Sequence, residues 1–87
     1  MSQQQKFEDL AASMLREAKQ HSGPRRDNLL SAADLATTVA RAAKNPNAPE
    51  QHLDSIYDEL TQYAKWPYGN ALETATRYLA LIKNHIN

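Results

Sequence analysis

The side chains of this sequence that could perform acid–base or metal chemistry are three histidines and a row of carboxylates. Glu17 and His21 are four residues apart, so on a helix they would share a face and could ligate one metal ion. A metal site needs further ligands, and the sequence lacks the His-Glu-x-x-His spacing of helical zinc sites. A surface pair at a helix end is therefore the better interpretation.

His52 is the second candidate, because it lies close to Asp54 in the sequence. A catalytic histidine acts on or beside a nucleophile and is held by an orienting partner, and the sequence indicates neither. It also contains no serine elbow and no glycine-rich phosphate loop. We therefore expect a protein that is not an enzyme and that uses no cofactor or metal.

Glu50, Asp54 and Asp58 recur every four residues and would form one acidic helix face. Carboxylate-bridged metal bundles take Glu-x-x-His motifs from two helices, and none is present. A solvated face, or a docking surface for a basic partner that also includes Glu59, explains the same residues.

Length and composition limit the class of protein. Its 87 residues make one small domain, residues 1–87, and the absence of cysteine excludes disulfides. No apolar run approaches the roughly 18 to 20 residues that span a bilayer, and the N-terminal residues lack the layout of a secretory signal. We expect a soluble cytoplasmic protein, and we favour a monomer over an oligomer.

The charge balance argues against a nucleic-acid partner. Ten basic and ten acidic residues give zero formal net charge. Arg25 and Arg26 precede the second predicted helix, whereas Arg41 and Lys44 lie at its far end, about 25 Å away at the helical rise. Solvated charge explains these residues better than a phosphate-binding patch.

Hydrophobic side chains recur at helical spacing in four stretches, which predicts helices at about 4–21, 27–44, 49–65 and 70–86. Breaks rich in proline, glycine and asparagine separate them. The predicted buried stripes are, in chain order, Phe7, Leu10, Ala11, Met14, Leu15 and Ala18; Leu29, Ala32, Ala33, Ala36, Val39, Ala40 and Ala43; Leu53, Ile56, Tyr57, Leu60, Tyr63 and Ala64; and Ala71, Leu72, Ala75, Tyr78, Leu79, Ile82 and Ile86.

Short connections place consecutive helices antiparallel, so we predict an all-α, antiparallel up-down-up-down four-helix bundle. A three-helix fold would need Gly23-Pro24 or Trp66-Pro67 to be only a kink, and two helix breakers at each place argue against that. Gly23 is expected to end the first helix, and Asp27 to be the N-cap of the second.

Trp66 and Tyr68 flank a proline in the last break, and two roles are open to them. A tryptophan there ordinarily closes the end of the bundle, but tryptophan and tyrosine are also enriched among binding hot spots. Lys83 and His85 make the end of the last helix mildly cationic. These four residues are the candidate partner-binding site.

The segment DNLLSAADLATTVARAAKNPNAPEQHLDSIYDELTQYA resembles the immunity proteins of the enterocin A type, which act against pediocin-like (class IIa) bacteriocins. The resemblance covers about Phe7 to Ile82 and is carried by Leu29-Leu30, by the polar break from Asn45 to Pro49, and by the pattern Leu53, Ile56, Leu60, Tyr63.

This resemblance implies resistance to an antimicrobial peptide, in which the protein protects a producer cell from its own bacteriocin. It would act from the cytosolic side on a membrane permease complex with bound bacteriocin, a sugar-uptake phosphotransferase, and would associate with the membrane peripherally through that partner. The third and fourth helices and the chain end would then carry specificity, with Trp66, Tyr68, Lys83 and His85 as contacts.

A second hypothesis is a small helical inhibitor or adaptor, such as one encoded by a phage, that docks one helix face on a protein partner. It would use the acidic residues Glu50, Asp54, Asp58 and Glu59. Charge reversal there would abolish binding, whereas the immunity hypothesis predicts losses near Trp66 and the chain end.

Overall fold

The computed structural model describes residues 2–86, and within that range the chain folds into four helices without a strand. The helices are α1 (Gln3–Ala18), α2 (Gly23–Ala42), α3 (Glu50–Lys65) and α4 (Ala71–Ile86). The predicted four-helix bundle is confirmed, and the bounds of α3 and α4 agree with the predicted ones to within one residue.

The turn between α1 and α2 differs from the prediction. α1 ends at Ala18, and Gly23 takes the left-handed conformation (φ +66°) at the start of α2 instead of at the end of α1. Pro24 lies in the first turn of α2, because a missing N–H costs nothing where the helix supplies no acceptor. The prediction that Asp27 is the N-cap of α2 is therefore wrong. Asp27 is an exposed residue inside α2, and its Oδ1 atom lies 3.4 Å from Nη2 of Arg26.

Two antiparallel hairpins, α1–α2 and α3–α4, stack on each other. α1 runs parallel to α3: the Gln3 side chain donates a hydrogen bond to Asp54 Oδ1 (3.0 Å), and the ring centroids of Phe7 and Tyr57 are 5.5 Å apart. α2 packs against all three other helices, whereas α1 and α4 do not meet within the described residues. The helix directions are those of the predicted bundle.

The core lies between the hairpins and is formed mostly by the predicted stripes. Small alanines on α2, such as Ala32 and Ala36, are fully buried and allow the neighbouring helices to approach. The prediction is wrong for one core residue, Leu15. Its side chain is 45% exposed, because the buried face of α1 is narrower than its apolar stripe. The buried hydrophobic side chains of the helices are Phe7, Ala11, Met14, Ala18, Leu29, Ala32, Ala33, Ala36, Val39, Ala40, Leu53, Ile56, Leu60, Tyr63, Ala75, Leu79 and Ile82.

Candidate functional site

The corner between α3 and α4 owes its shape to a proline and a glycine. Pro67 disfavours helical conformation in the residue before it, and Trp66 accordingly leaves the helix with φ −143° and ψ 90°. Gly69 adopts φ +91°, a conformation that L side chains rarely take, and this allows the chain to turn into α4. The sequence thus specifies a short turn that carries Trp66 and Tyr68 on either side of Pro67.

Pro67, and not Trp66, closes this end of the bundle. Pro67 is fully buried, and its carbonyl oxygen accepts a hydrogen bond from the Asn28 side chain at 2.6 Å, which fastens the turn to α2. Trp66 is 65% exposed and Tyr68 is 42% exposed. The expectation that Trp66 closes the end of the bundle is therefore wrong. Trp66 and Tyr68 instead form part of the outer surface of the domain.

The two aromatic rings lie against each other in solvent. Their centroids are 4.9 Å apart and their planes are inclined by 50°, so the two tilted rings form one continuous aromatic surface. We call Trp66 and Tyr68 the aromatic corner. An open groove of about 300 Å³ adjoins it, and we call this the corner groove; it is lined by Glu59, Gln62, Tyr63, Trp66, Tyr68, Asn70 and Ala71.

The lining of the corner groove carries negative charge. Among residues 2–86, Glu59 is the one charged residue of the groove lining, and it forms no ion pair there. Tyr63 lies at the inner side of the groove and is almost fully buried. Burial, and secondarily the neighbouring Tyr68 phenol, raise the pKa of Tyr63 above its usual value of 10.0, so its hydroxyl stays neutral.

Lys83 and His85 are exposed, as expected of binding residues, but they lie at the other end of the molecule. α4 has 16 residues and begins just after the aromatic corner, so its last turn is about 24 Å away at the helical rise. The structure therefore brings Trp66 and Tyr68 together and leaves Lys83 and His85 apart from them. The four predicted contacts do not make one compact site.

The acidic face is present on α3 but is not uniform. Glu50, Asp54 and Asp58 are exposed, and Asp54 accepts the hydrogen bond from Gln3 that ties α1 to α3. Glu59 belongs instead to the corner groove. The acidic residues of α3 therefore form two groups. Glu50, Asp54 and Asp58 make an exposed row, and Glu59 lies beside the aromatic corner.

His21 and His52 each have a local partner, whereas His85 is exposed. His21 Nε2 lies 3.1 Å from Glu17 Oε1, which is the surface pair expected from the sequence. The His52 ring packs at 5.5 Å from that of Tyr78, joining α3 to α4. Within residues 2–86, His, Asp and Glu side chains do not gather in groups of three or more that could hold a metal ion.

A second exposed apolar surface, which sequence analysis missed, lies on the outer side of the α1–α2 hairpin. Leu15 and Leu30 lie together there, with Ala18 beneath them and the cations Lys19 and Arg26 at the rim. We call these five residues the leucine face. Leu30 lies outside the buried stripe of α2, and this position was the available signal that it would face outward.

None of the helices in the described part of the chain is both long enough and apolar enough to cross a bilayer. In comparisons with protein-family models, with curated proteins and with solved structures, nothing matches this chain. The resemblance to the immunity proteins stays a prediction made from the residues that carry it.

Proposed function

We propose that this chain is a non-catalytic protein-binding domain that presents the aromatic corner to a protein partner. The observation that carries the proposal is the exposure of Trp66, which is 65% accessible although tryptophan is the largest apolar side chain. Burying an exposed indole and phenol in an interface releases a large apolar area from water, and such residues dominate binding hot spots. Because Pro67 already closes the bundle, packing within the domain does not account for the exposed indole of Trp66.

The specific form of this proposal is bacteriocin immunity. The protein would act as a monomer in the cytoplasm and block the bacteriocin-occupied permease complex from the inner side of the membrane. The resemblance in α2 and α3 supports this form, and so does the position of the aromatic corner between α3 and α4, the two helices expected to carry specificity. The separation of Lys83 and His85 from the corner implies either an extended interface along α4 or contacts made by the corner alone.

The test is protection of sensitive cells that express the chain and are challenged with a panel of pediocin-like peptides. Wild type should protect against at least one peptide, and Trp66→Ala and Tyr68→Ala should each reduce that protection. Lys83→Ala and His85→Ala measure whether the far end of α4 takes part. Leu81→Ala removes an exposed apolar side chain elsewhere on α4 and serves as the matched control. Unchanged killing by every peptide would contradict immunity.

The alternative is an inhibitor or adaptor that docks the acidic face of α3 on a basic partner. One observation favours it: Glu50 and Asp58 are both exposed on α3, and neither forms an ion pair among residues 2–86. A Glu50→Lys, Asp58→Lys double variant should then abolish binding while Trp66→Ala leaves it intact. The opposite pattern supports the aromatic corner.

A further inference from the structure

The chemistry of the corner groove is more specific than that of an apolar patch. Aromatic ring faces carry negative partial charge, and here an indole and a phenol ring meet at 50° with centroids 4.9 Å apart. The Glu59 carboxylate lines the same groove, and the other lining side chains that the structure describes are neutral. Both features attract a cation, and among residues 2–86 no cationic side chain lines the groove.

A purely apolar partner would fit this groove poorly. Covering it with aliphatic side chains would take the Glu59 carboxylate out of water without a compensating charge, which is unfavourable. A cationic group would instead contact the ring faces and neutralise the carboxylate in one position. The chain already contains a contact of this type at another place, where Lys6 Nζ lies 4.5 Å from the centroid of the Tyr57 ring.

The groove favours a guanidinium over an ammonium group. A guanidinium is planar, so it can stack on an indole face and still direct two N–H groups at one carboxylate. Gln62 and Asn70 also line the groove and offer amide oxygens as further acceptors. An ammonium group is compact and strongly hydrated, so it gains less from stacking.

We infer that the corner groove is a subsite for an arginine side chain of the partner protein, held by the rings of Trp66 and Tyr68 and by the carboxylate of Glu59. The inference rests on the proposed function, in which the aromatic corner is the partner-binding surface. It adds the chemistry that the partner must present there.

The test uses N-acetyl-arginine amide, with N-acetyl-citrulline amide as a neutral analogue of nearly the same shape. Trp66 is the one tryptophan of the chain, so its fluorescence and its indole N–H resonance report on the groove directly. The arginine compound should shift the indole resonance in a saturable way, with a Kd on the order of tens of millimolar, as expected for one side chain. The citrulline compound should bind about 10-fold more weakly or worse, because it lacks the charge.

Two variants locate the charge that is responsible. Glu59→Gln should weaken binding of the arginine compound about 3- to 10-fold and leave the citrulline compound unaffected. Asp58→Asn removes the neighbouring exposed carboxylate of α3 that does not line the groove, and it should change neither. Equal binding of the two compounds, no saturable shift, or an unaltered Kd in Glu59→Gln would each overturn the inference.

These outcomes are distinct from failure of the proposed function. If Trp66→Ala abolishes protection of cells while arginine and citrulline compounds bind alike, the corner is a binding surface without an arginine subsite. If the arginine compound binds selectively while Trp66→Ala protects fully, the subsite exists and immunity does not use it.

Discussion

The interior of the bundle and the aromatic corner use aromatic side chains in opposite ways, although they are adjacent in the chain. Tyr63 on α3 is buried in the core, and three residues later Trp66 is 65% exposed. Between Trp66 and Tyr68, Pro67 is buried and completes the end of the bundle. The interior therefore needs neither aromatic side chain of the corner for closure. Their contribution to stability should be small, and their contribution to binding should be large.

The sharpest contrast is between two leucines given the same charge. Leu60→Asp should unfold the domain, because Leu60 is fully buried and an unpaired buried carboxylate costs more than a small domain's total stability of roughly 5 kcal/mol. Leu81→Asp places the same charge on a half-exposed leucine and should cost only about 0.5 to 1.5 kcal/mol, through helix propensity and lost partial burial. Circular-dichroism melts check both variants, and a cooperative melt of Leu60→Asp near wild type would contradict the buried assignment.

Overpacking tests the close approach of α2 to its three neighbours. Ala36 is fully buried, so Ala36→Leu should destabilise the domain by about 1 to 3 kcal/mol. Ala80→Leu adds the same atoms at an exposed position of α4 and is the matched control. Chemical denaturation measures the difference in the free energy of unfolding. Equal midpoints for the two variants would mean that the alanine stripe of α2 does not face the core.

The hydrogen bond from Asn28 to the Pro67 carbonyl tests the attachment of the corner to α2. Asn28→Ala removes the donor of this 2.6 Å bond and should cost about 0.5 to 1.5 kcal/mol. It should also increase amide exchange in the turn from Trp66 to Asn70. Asn84→Ala removes an exposed amide near the end of α4 and should have neither effect. A turn that stays equally protected without Asn28 would show that burial of Pro67 alone fixes it.

The smallest effect on stability is expected at the corner itself. Trp66→Ala should lower the free energy of unfolding by only about 0.5 to 1 kcal/mol, mostly through loss of its contact with the Tyr68 ring, because most of the indole is already in water. Tyr63→Ala, the buried aromatic of the same hairpin, should cost roughly 3 to 5 kcal/mol by comparison. Urea denaturation compares the two. A large loss in Trp66→Ala would mean that the indole supports the fold.

The fold could be predicted from the sequence because apolar residues recur at helical spacing and helix breakers separate the helices. Apolar spacing and paired helix breakers are local signals, and they placed α3 and α4 to within one residue. The error at α2 arose because Gly23-Pro24 suits both the end of one helix and the start of the next. Which of these roles it takes is decided by the path of the turn, and the residue types do not encode that path.

The candidate site was only half predictable. The sequence identified Trp66 and Tyr68 from their residue types, but their exposure depends on Pro67 filling the end of the bundle, which is a packing outcome. Glu59 lies beside them for a different reason: it precedes Trp66 by seven residues, which puts both on one face of α3, and sequence analysis did not use this spacing. Grouping Lys83 and His85 with the corner overlooked the length of α4, which separates its two ends by about 24 Å.

The most direct test of the account is the solvent exposure of Trp66 in the folded protein, because no other tryptophan contributes to the signal. Acrylamide quenching and the emission maximum should be measured in native buffer and in denaturant. We predict a native quenching constant at least half that of the unfolded chain, consistent with a side chain that is 65% exposed, and a small shift of the emission maximum on unfolding. A strongly blue-shifted native emission that acrylamide scarcely quenches would contradict the account, because it would place the indole inside the bundle.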